Sequence, residues 1–238
     1  MALRGLRHRH ADAREVMDDP ACDPEMLART YARFDLVNAV VSGRRALYRR
    51  WIRPRLRAGR RVRLLDVGTG GADLPRRLLR WAASERGSLE VVAIDPDPRA
   101  IAYASGLPPV PGLELRQVTT GQLADSGERF DVVVSGHVLH HLAARELGAL
   151  LADSEQLLAA GGVAVHGDIA RSTLALLGFA AGTLPFQGTL LRGSFIRADG
   201  LASIRRSHTP AELASAAPPG WRVLRGLPSR LELVWAAP

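Results

Sequence analysis

The sequence predicts an α/β fold in which a mostly parallel, seven-stranded sheet forms the centre of one structural unit. Two observations support this prediction. From Arg61 onward, short hydrophobic and β-branched runs alternate with amphipathic stretches, which is the pattern of repeated β-α-β units. The chain has 238 residues, of which 47% are hydrophobic, so it can bury one complete core.

Seven runs have the length and residue types of strands. They cover Val62 to Val67, Leu89 to Ile94, Leu113 to Val118, Phe130 to Val134, Gly162 to Gly167, Trp221 to Arg225 and Arg230 to Trp235. Three amphipathic stretches between these runs predict helices. They cover Asp73 to Ser84, Pro98 to Ala104 and Ala144 to Ala160, and the glycines that follow end the last one.

Two further regions complete the predicted organisation. Residues 1–60 are expected to form an N-terminal helical lid, because hydrophobic residues recur at helical spacing from Pro24 to Leu56. Residues 61–238 form the main domain, in which residues 169–206 are an apolar insertion after the fifth strand. The insertion is expected to cover a pocket. Packing against the N-terminal helices, a homodimer contact and a membrane-surface contact are the alternatives.

Charge and cysteine content limit the expected partners and compartment. The formal net charge is +8, but all 32 basic residues are arginine, a bias that a GC-rich genome explains. The arginines are scattered rather than clustered with stacking aromatics, so no nucleic-acid partner is expected. Cys22 is the only cysteine, which excludes disulfides and favours the cytoplasm. No signal peptide or transmembrane segment is expected, since the apolar stretch from Leu174 to Phe186 is too short to span a bilayer.

The residues that follow the predicted strands carry the candidate chemistry, because open α/β sheets bind ligands at the carboxyl ends of their strands. A glycine turn follows the first strand, and Asp95 follows the second. The turn lets a ligand approach the backbone, and the carboxylate can accept hydrogen bonds from both ribose hydroxyls. This pair predicts an adenosine-containing cofactor. Asp73 places bulk and negative charge where a dinucleotide site requires a small residue, so a nucleotide-dependent oxidoreductase is the weaker alternative.

A family resemblance extends over roughly Arg61 to Asp168. The run from Leu64 to Asp73 resembles the glycine-rich first motif of class I methyltransferases, and Asp95 matches their ribose-binding acid. The fourth-strand motif of the family is matched by Phe130 to Val133 followed by Val138 to Leu142. The resemblance implies a Rossmann-like class I methyltransferase fold and S-adenosylmethionine as the cofactor. The residues expected to bind it are Asp66, Gly68, Thr69, Gly70, Asp73, Asp95, Pro96, Thr120, Ser135 and His137.

The chemistry of this cofactor suits the acids of the first motif. S-adenosylmethionine carries an ammonium and a sulfonium but no phosphate, so the carboxylates of Asp66 and Asp73 are compatible with it. Thr120 lies near the place where most relatives have an acid that accepts from the adenine amine.

A second resemblance concerns the acceptor. The lead-in of quinone-biosynthesis C-methyltransferases is similar to Tyr31, the stretch from Phe34 to Asn38, Ser42-Gly43 and Trp51. Enzymes that methylate polyketide-derived phenols are closer in the stretches from His137 to Leu142 and from His166 to Ile169. Both imply a small lipophilic acceptor, phenolic or polyketide-derived, with O-methylation favoured. The alternatives are C-methylation of a quinone-type ring and a nucleic-acid methyltransferase or basic nucleic-acid-binding protein.

Histidines near the ends of the fourth and fifth strands are the candidate bases. A neutral imidazole can remove the proton of a phenol, whose pKa is near 10. His140 and His141 are the first candidates, and His166 and Asp168 are the next. Alignment of donor and acceptor without any side-chain base is the alternative.

Aromatic residues and the absence of a metal complete the predicted site. His137 and His141 are four residues apart, but no third ligand has matching spacing, so no metal is expected. The acceptor pocket is expected to be lined by Tyr31, Phe34, Phe179 and Phe186.

Overall fold

The computed structural model describes residues 6–56 and 60–237, and a seven-stranded sheet lies at its centre. Across the sheet the order is β3-β2-β1-β4-β5-β7-β6, and β7 is antiparallel to both of its neighbours while the other pairs are parallel. The predicted α/β fold with a mostly parallel sheet is confirmed. The strands are β1 (Val62–Val67), β2 (Leu89–Ile94), β3 (Leu113–Arg116), β4 (Phe130–Gly136), β5 (Leu158–Ile169), β6 (Arg222–Gly226) and β7 (Arg230–Ala236).

Helices cover both faces of the sheet. Before β1 the chain forms α1 (Pro24–Val41), α2 (Arg44–Leu47), a π-helical turn (Tyr48–Ile52) and α3 (Arg53–Leu56). Between the strands it forms α4 (Asp73–Ser84), α5 (Pro98–Ser105), α6 (Thr120–Ala124), α7 (Ala144–Leu157), α8 (Thr173–Thr183), α9 (Ile196–Arg206) and α10 (Pro210–Ala216). Short 3-10 turns cover Val16–Asp18, Leu139–His141 and Leu184–Phe186.

The position of β1 creates the crevice in which a ligand can bind. β1 lies between β2 and β4, so the connections from these strands run to opposite sides of the sheet, and a crevice opens at their carboxyl ends. In the parallel register, Val67 lies beside Ile94 on one side and Ser135 on the other. The glycine turn after β1 therefore meets the ends of β2 and β4.

The N-terminal helices contribute to the core as well as to the site. Tyr48 and Ile52 are fully buried in one hydrophobic cluster with Leu64 of β1 and Leu78 of α4. A second cluster on the other face contains Phe130 and residues of α7. Removing residues 44–56 would therefore expose part of one face of the sheet, so these residues belong to the core of the domain.

The boundary between α7 and β5 differs from the prediction. The helix ends at Leu157 rather than Ala160, and β5 begins at Leu158. The alanines that follow favour helix, but Leu158 is buried and pairs with Phe130, and the pairing then shifts register before Val163. Tertiary pairing here outweighs local helix propensity. β3 is also two residues shorter than predicted.

The predicted insertion, residues 169–206, forms α8, a 3-10 turn and α9. Ala175 and Leu176 of α8 are buried against Ile204 of α9. Several hydrophobic side chains of the insertion are exposed, namely Leu174, Leu177, Leu184, Phe186 and Leu190. In the part of the chain that the structure describes, no helix combines the length and hydrophobicity needed to cross a bilayer.

Candidate active site

A cavity of about 440 Å³ lies at the carboxyl ends of β1, β2 and β4. Its wall at the sheet is formed by the turn after β1 and by the residues that follow β2. Its opposite wall is formed by α1, the Val16–Asp18 turn, α9 and the 3-10 turn after β4. The ligand crevice predicted from the strand ends is therefore present and enclosed by helices.

The turn after β1 requires glycine for two reasons, backbone conformation at Gly68 and Gly70 and a close neighbour at Gly68. Gly68 and Gly70 have φ values of 68° and 52°, in the left-handed region that favours glycine. A Cβ atom at Gly68 would lie 2.6 Å from Cγ2 of Val138. Both glycines line the cavity, so the turn presents bare backbone to a ligand.

Asp95 is held in a fixed orientation at the cavity wall. Its Oδ2 accepts a hydrogen bond from the backbone N–H of Gly70 at 2.8 Å, and its Oδ1 accepts from that of Asp97 at 2.9 Å. Burial raises the pKa of this carboxyl above its ordinary value. Pro96 and Asp97 line the same wall, so the predicted acidic end of β2 faces the cavity.

Asp66 has an unsatisfied buried oxygen. Its Oδ2 accepts no hydrogen bond from the described residues, although the side chain is 2% exposed. Burial, with a smaller contribution from the carboxylates of Asp73 and Asp95, raises the pKa of Asp66 to about 7. The side chain lines a smaller cavity of about 70 Å³, which shares Gly68, Thr69 and His137 with the large one. A cation placed there would satisfy this oxygen.

Asp73 has a partner within the chain. Its Oδ2 accepts from Nη1 of Arg44 at 2.8 Å and from Nδ2 of Asn38 at 3.1 Å. These bonds join the start of α4 to α1 and α2. Asp73 lines both cavities, but much of its charge is balanced by the buried guanidinium of Arg44.

His140 lies between two carboxylates. Its Nδ1 is 2.9 Å from Oδ1 of Asp168, and its Nε2 is 3.1 Å from Oε1 of Glu15. Burial alone would lower the pKa of His140, but the charges and hydrogen bonds of Asp168 and Glu15 outweigh it and raise the pKa to about 9. The same contacts hold the pKa of Asp168 below its usual range. With a proton on each nitrogen and both donated, His140 has no free lone pair and is not a base in this arrangement.

His137 and His141 present their rings to the cavity. His141 Nδ1 lies 3.2 Å from Oδ2 of Asp18, and its Nε2 lies 3.7 Å from Oε1 of Glu15. Nδ1 of His137 lies 3.8 Å from Oδ1 of Asp168. His137 has a φ of 61°, which is uncommon for a residue with a side chain. The chain therefore turns sharply at the end of β4.

His166 does not reach the cavity, so its predicted role as a base is wrong for this arrangement. The ring is fully buried, with Nδ1 2.8 Å from Oγ of Ser135 and Nε2 3.1 Å from Oγ of Ser154. Ser154 donates its proton to the carbonyl of Leu150, so it accepts from Nε2, and Ser135 donates to Nδ1. Burial lowers the pKa of His166 to about 3, which keeps the ring neutral. Ser135 is thus engaged with His166, although it also lines the smaller cavity.

Two other predicted contacts are not at the cavity. Thr120 starts α6, and its hydroxyl donates to Oδ2 of Asp153 at 2.6 Å. Phe186 lies at the end of the 3-10 turn after α8, is 48% exposed and lines neither cavity. Tyr31, Phe34 and Phe179 do line the cavity, as predicted. The ring of Phe179 packs directly on Gly200 of α9.

Hydrogen bonds between α9 and the segment from Glu15 to Met17 form part of the cavity wall that the sequence did not predict. Asp199 of α9 accepts hydrogen bonds from the backbone N–H groups of Val16 at 2.7 Å and Met17 at 3.1 Å. Ser203 of α9 donates to Oε1 of Glu15 at 2.7 Å. Glu15 precedes a three-residue turn and has no periodic pattern around it, so the sequence offers no signal that would bring it to the site.

Comparison with known sequences identifies the domain at the centre of this site. Residues 65–164 match the Methyltransf_12 family, described as a methyltransferase domain. A ubiquinone biosynthesis O-methyltransferase of Azorhizobium caulinodans is 33% identical over 119 residues, covering 49% of this chain and 44% of that protein. One of Rhizobium rhizogenes is 39% identical over 88 residues, covering 34% of this chain and 32% of that protein. The chain thus matches less than half the length of these relatives.

Solved structures share the fold over most of the chain. The plantazolicin methyltransferase BpumL, in complex with a triazolic desmethylPZN analog and SAH, has a TM-score of 0.60 and 12% identity, covering 90% of this chain and 98% of that one. Human N-acetylserotonin methyltransferase, in complex with SAM, has a TM-score of 0.61 and 12% identity, covering 90% and 56%. At these identities the likeness concerns the fold alone. Taken with the domain match, it shows that the chain has the fold of these methyltransferases and that its residues 65–164 match a methyltransferase domain.

Proposed function

We propose that this methyltransferase transfers a methyl group from S-adenosylmethionine to a hydroxyl group of a small lipophilic, phenol-like acceptor. The observation that supports it best is the composition of the large cavity and of the smaller one beside it. Glycine backbone and the carboxylate of Asp95 line the large cavity together with aromatic rings and imidazoles, and the carboxylate of Asp66 lines the smaller one. A charged adenosine donor suits the glycine backbone and the carboxylates, and a flat hydroxylated ring suits the aromatic rings and imidazoles. We call these two sets of residues the donor end and the acceptor end.

The residues at the donor end fit the proposed cofactor. The unsatisfied Oδ2 of Asp66 can accept from the ammonium of the methionine part, and Gly68 and Gly70 leave room for it beside the backbone. Asp95 can accept from the ribose hydroxyls, since its orientation is already fixed by two backbone N–H groups. When bound, S-adenosylmethionine supplies an electrophilic methyl group on its sulfonium.

The acceptor end combines apolar surface with a few polar groups. Tyr31, Phe34 and Phe179 supply aromatic surface, and α1 adds Val37 and Val41. Burial raises the pKa of Tyr31, so its hydroxyl stays neutral. An apolar wall with a few imidazoles binds a lipophilic ring and directs its hydroxyl toward the histidines.

The protein has two tasks in this displacement, which are to align the acceptor oxygen with the methyl carbon and to receive a proton. His137 and His141 face the cavity and are the imidazoles in position to receive it. His140, which both carboxylates hold, positions the turn that carries His141 rather than acting as the base.

C-methylation of a quinone-type ring is the second candidate. It needs the same donor site and the same apolar wall, but an activated ring carbon replaces the hydroxyl oxygen. The relatives named as ubiquinone biosynthesis O-methyltransferases favour oxygen as the acceptor atom. A homodimer through the exposed side chains of the insertion and a cytoplasmic location remain proposals.

Donor binding is tested by calorimetry with S-adenosylmethionine. Asp95→Ala should weaken binding by about 10- to 100-fold, because hydrogen bonds to a charged group contribute about 1.5–3 kcal/mol. Asp125→Ala is the matched control, since Asp125 is exposed and lies outside both cavities. Equal affinity in the two variants would contradict the assignment of Asp95.

Acceptor chemistry is tested with isotopically labelled donor and a panel of hydroxylated aromatic rings that differ in the length of an alkyl side chain. We expect methylation to increase with side-chain length, and the methyl group to be found on oxygen by mass spectrometry and NMR. A methyl group on a ring carbon would support the second candidate instead. Methylation of nucleic acid with no turnover of the panel would overturn the proposal.

A further inference from the structure

We propose that Glu15, His140 and His141 form a binding site for a divalent transition-metal cation of the Zn²⁺ type. The three side chains lie together on the wall of the acceptor end of the cavity. One ligand atom from each lies within 4.8 Å of the other two. Imidazole nitrogen and carboxylate oxygen are common ligands of Zn²⁺.

The spacing of the ligand atoms suits a tetrahedral ion. Oε1 of Glu15 lies 3.1 Å from Nε2 of His140 and 3.7 Å from Nε2 of His141. An ion with bonds of about 2.0–2.2 Å places its ligand atoms about 3.3–3.6 Å apart in a tetrahedron. The two separations from Glu15 lie on either side of this range, and the ligand atoms of the two imidazoles lie within 4.8 Å of each other, so side-chain movements would complete the geometry.

Both imidazoles are oriented by a carboxylate through their other nitrogen. Asp168 lies 2.9 Å from Nδ1 of His140, and Asp18 lies 3.2 Å from Nδ1 of His141. This arrangement directs both Nε2 atoms toward Glu15. Histidine ligands of metals commonly donate their second N–H to a carboxylate, which fixes the tautomer and the direction of the ring. Two imidazoles that are each oriented by a carboxylate, and that both face a third carboxylate, are stronger evidence for a metal site than a cluster of acids alone.

The local charge also favours a cation. Glu15, Asp18 and Asp168 bring three carboxylates to the two imidazoles. Arg206 lies 3.2 Å from Asp18 and 3.9 Å from Glu15, and the guanidinium of Arg9 donates to the carbonyl of His140 at 3.0 Å, so two arginines balance part of the charge of the three carboxylates. A proton on His140 can supply the remainder, and so can one divalent ion with this imidazole neutral. The experiment below separates these two states.

Three protein ligands leave a fourth position on a tetrahedral ion. Because all three line the cavity, this position is available to water or to an oxygen of a bound molecule. On the proposed function, to which this step alone is tied, an acceptor hydroxyl at that position would lose its proton more readily, since a metal ion stabilises the oxygen anion, and His137 would receive the proton because His141 is then a ligand. Binding of the ion itself does not depend on methyl transfer.

The test uses the full chain, free of any affinity tag and treated with a chelator. Zn²⁺ is titrated by calorimetry, and Co²⁺ is followed by its visible absorption, which is intense for a tetrahedral site. We expect one ion per chain. Glu15→Gln and His141→Gln should each abolish this binding, and Asp18→Asn should weaken it by about 10-fold, as loss of an orienting carboxylate does. The double variant H8A/H10A removes two exposed imidazoles as a control and should bind as the original protein does.

Each outcome decides the proposal. If no ion binds, or if Glu15→Gln and His141→Gln both retain full affinity in chains whose thermal unfolding is unchanged, the metal site is refuted and the protonated ion-pair network is the correct description. If Zn²⁺ binds as expected but S-adenosylmethionine does not, the metal site stands and the proposed function fails. If S-adenosylmethionine binds and methyl transfer occurs but no metal ion binds, the proposed function stands and the metal site is refuted.

Discussion

Replacing Asp66 with asparagine should change how the stability of the protein depends on pH. Burial raises the pKa of Asp66 from its ordinary 3.8 to about 7. The folded protein therefore holds this proton more tightly than the unfolded chain. The stabilisation is complete below pH 3.8 and is lost as the pH rises through 7. Between pH 5 and pH 8 this one group should lower the free energy of unfolding by about 2–3 kcal/mol, at 1.36 kcal/mol for each pKa unit.

Asp66→Asn cannot ionise, so it should lack this component of the pH dependence. The measurement is urea unfolding of both proteins at pH 5 and pH 8 without cofactor. Between the two pH values the midpoint of the original protein should fall by about 1 M more than that of the variant, given a urea dependence of about 3 kcal/mol per molar. Asp125→Asn, at an exposed position, should behave like the original protein.

The same substitution should weaken S-adenosylmethionine binding, because the ammonium loses its charged partner. An identical change in midpoint for the original protein and Asp66→Asn would refute the argument, since it would mean that Asp66 is not the group that titrates. A loss of donor affinity without any change in pH dependence would separate the binding role of Asp66 from the effect of its burial.

Two further predictions concern residues at or near the cavity, and a third concerns binding of nucleic acid. Gly68→Ala should lower the melting temperature and the donor affinity more than Gly127→Ala does. Both positions have positive φ, but only at Gly68 would a new Cβ atom contact Val138. Equal effects of the two substitutions would attribute the loss to backbone strain alone. Phe179→Ala should raise the KM for the acceptor by about 10-fold or more and leave the donor affinity unchanged, while Phe186→Ala should change neither quantity. Steady-state kinetics with an identified acceptor measures both variants, and a raised KM in Phe186→Ala alone would mean that Phe186 contacts the acceptor. In gel-shift titrations at physiological salt the protein should bind nucleic acid no more tightly than micromolar, and tight binding with a steep salt dependence would contradict this.

The sequence predicted the donor end of the site better than the acceptor end. β1, β2 and α4 have the expected bounds because each element has a regular hydrophobic pattern that its buried position requires. Gly68, Thr69 and Gly70 directly follow β1, and Asp95 directly follows β2. Their place at the cavity could therefore be predicted from the strand ends alone.

The acceptor end depends on contacts between distant parts of the chain. His140 and Asp168 could both be assigned to strand ends, but Glu15 reaches His140 across 125 positions from a segment without periodicity. Phe179 and Phe186 belong to one apolar stretch, and only the turn after α8 places one at the cavity and the other on the surface. His166 was expected at the site because its strand ends there, whereas two serines hold it inside the core.

The hydrogen bonds between the Val16–Asp18 turn and α9 have a consequence for the rates of binding and release. Asp199 holds the backbone of this turn from 183 positions away, so the two segments form one cover over the acceptor end. A motion that admits a ring past one segment must carry the other with it or break the bonds that join them. On the proposed function, acceptor entry and product release would therefore depend on Asp199 and Ser203, although no methyl group passes to either.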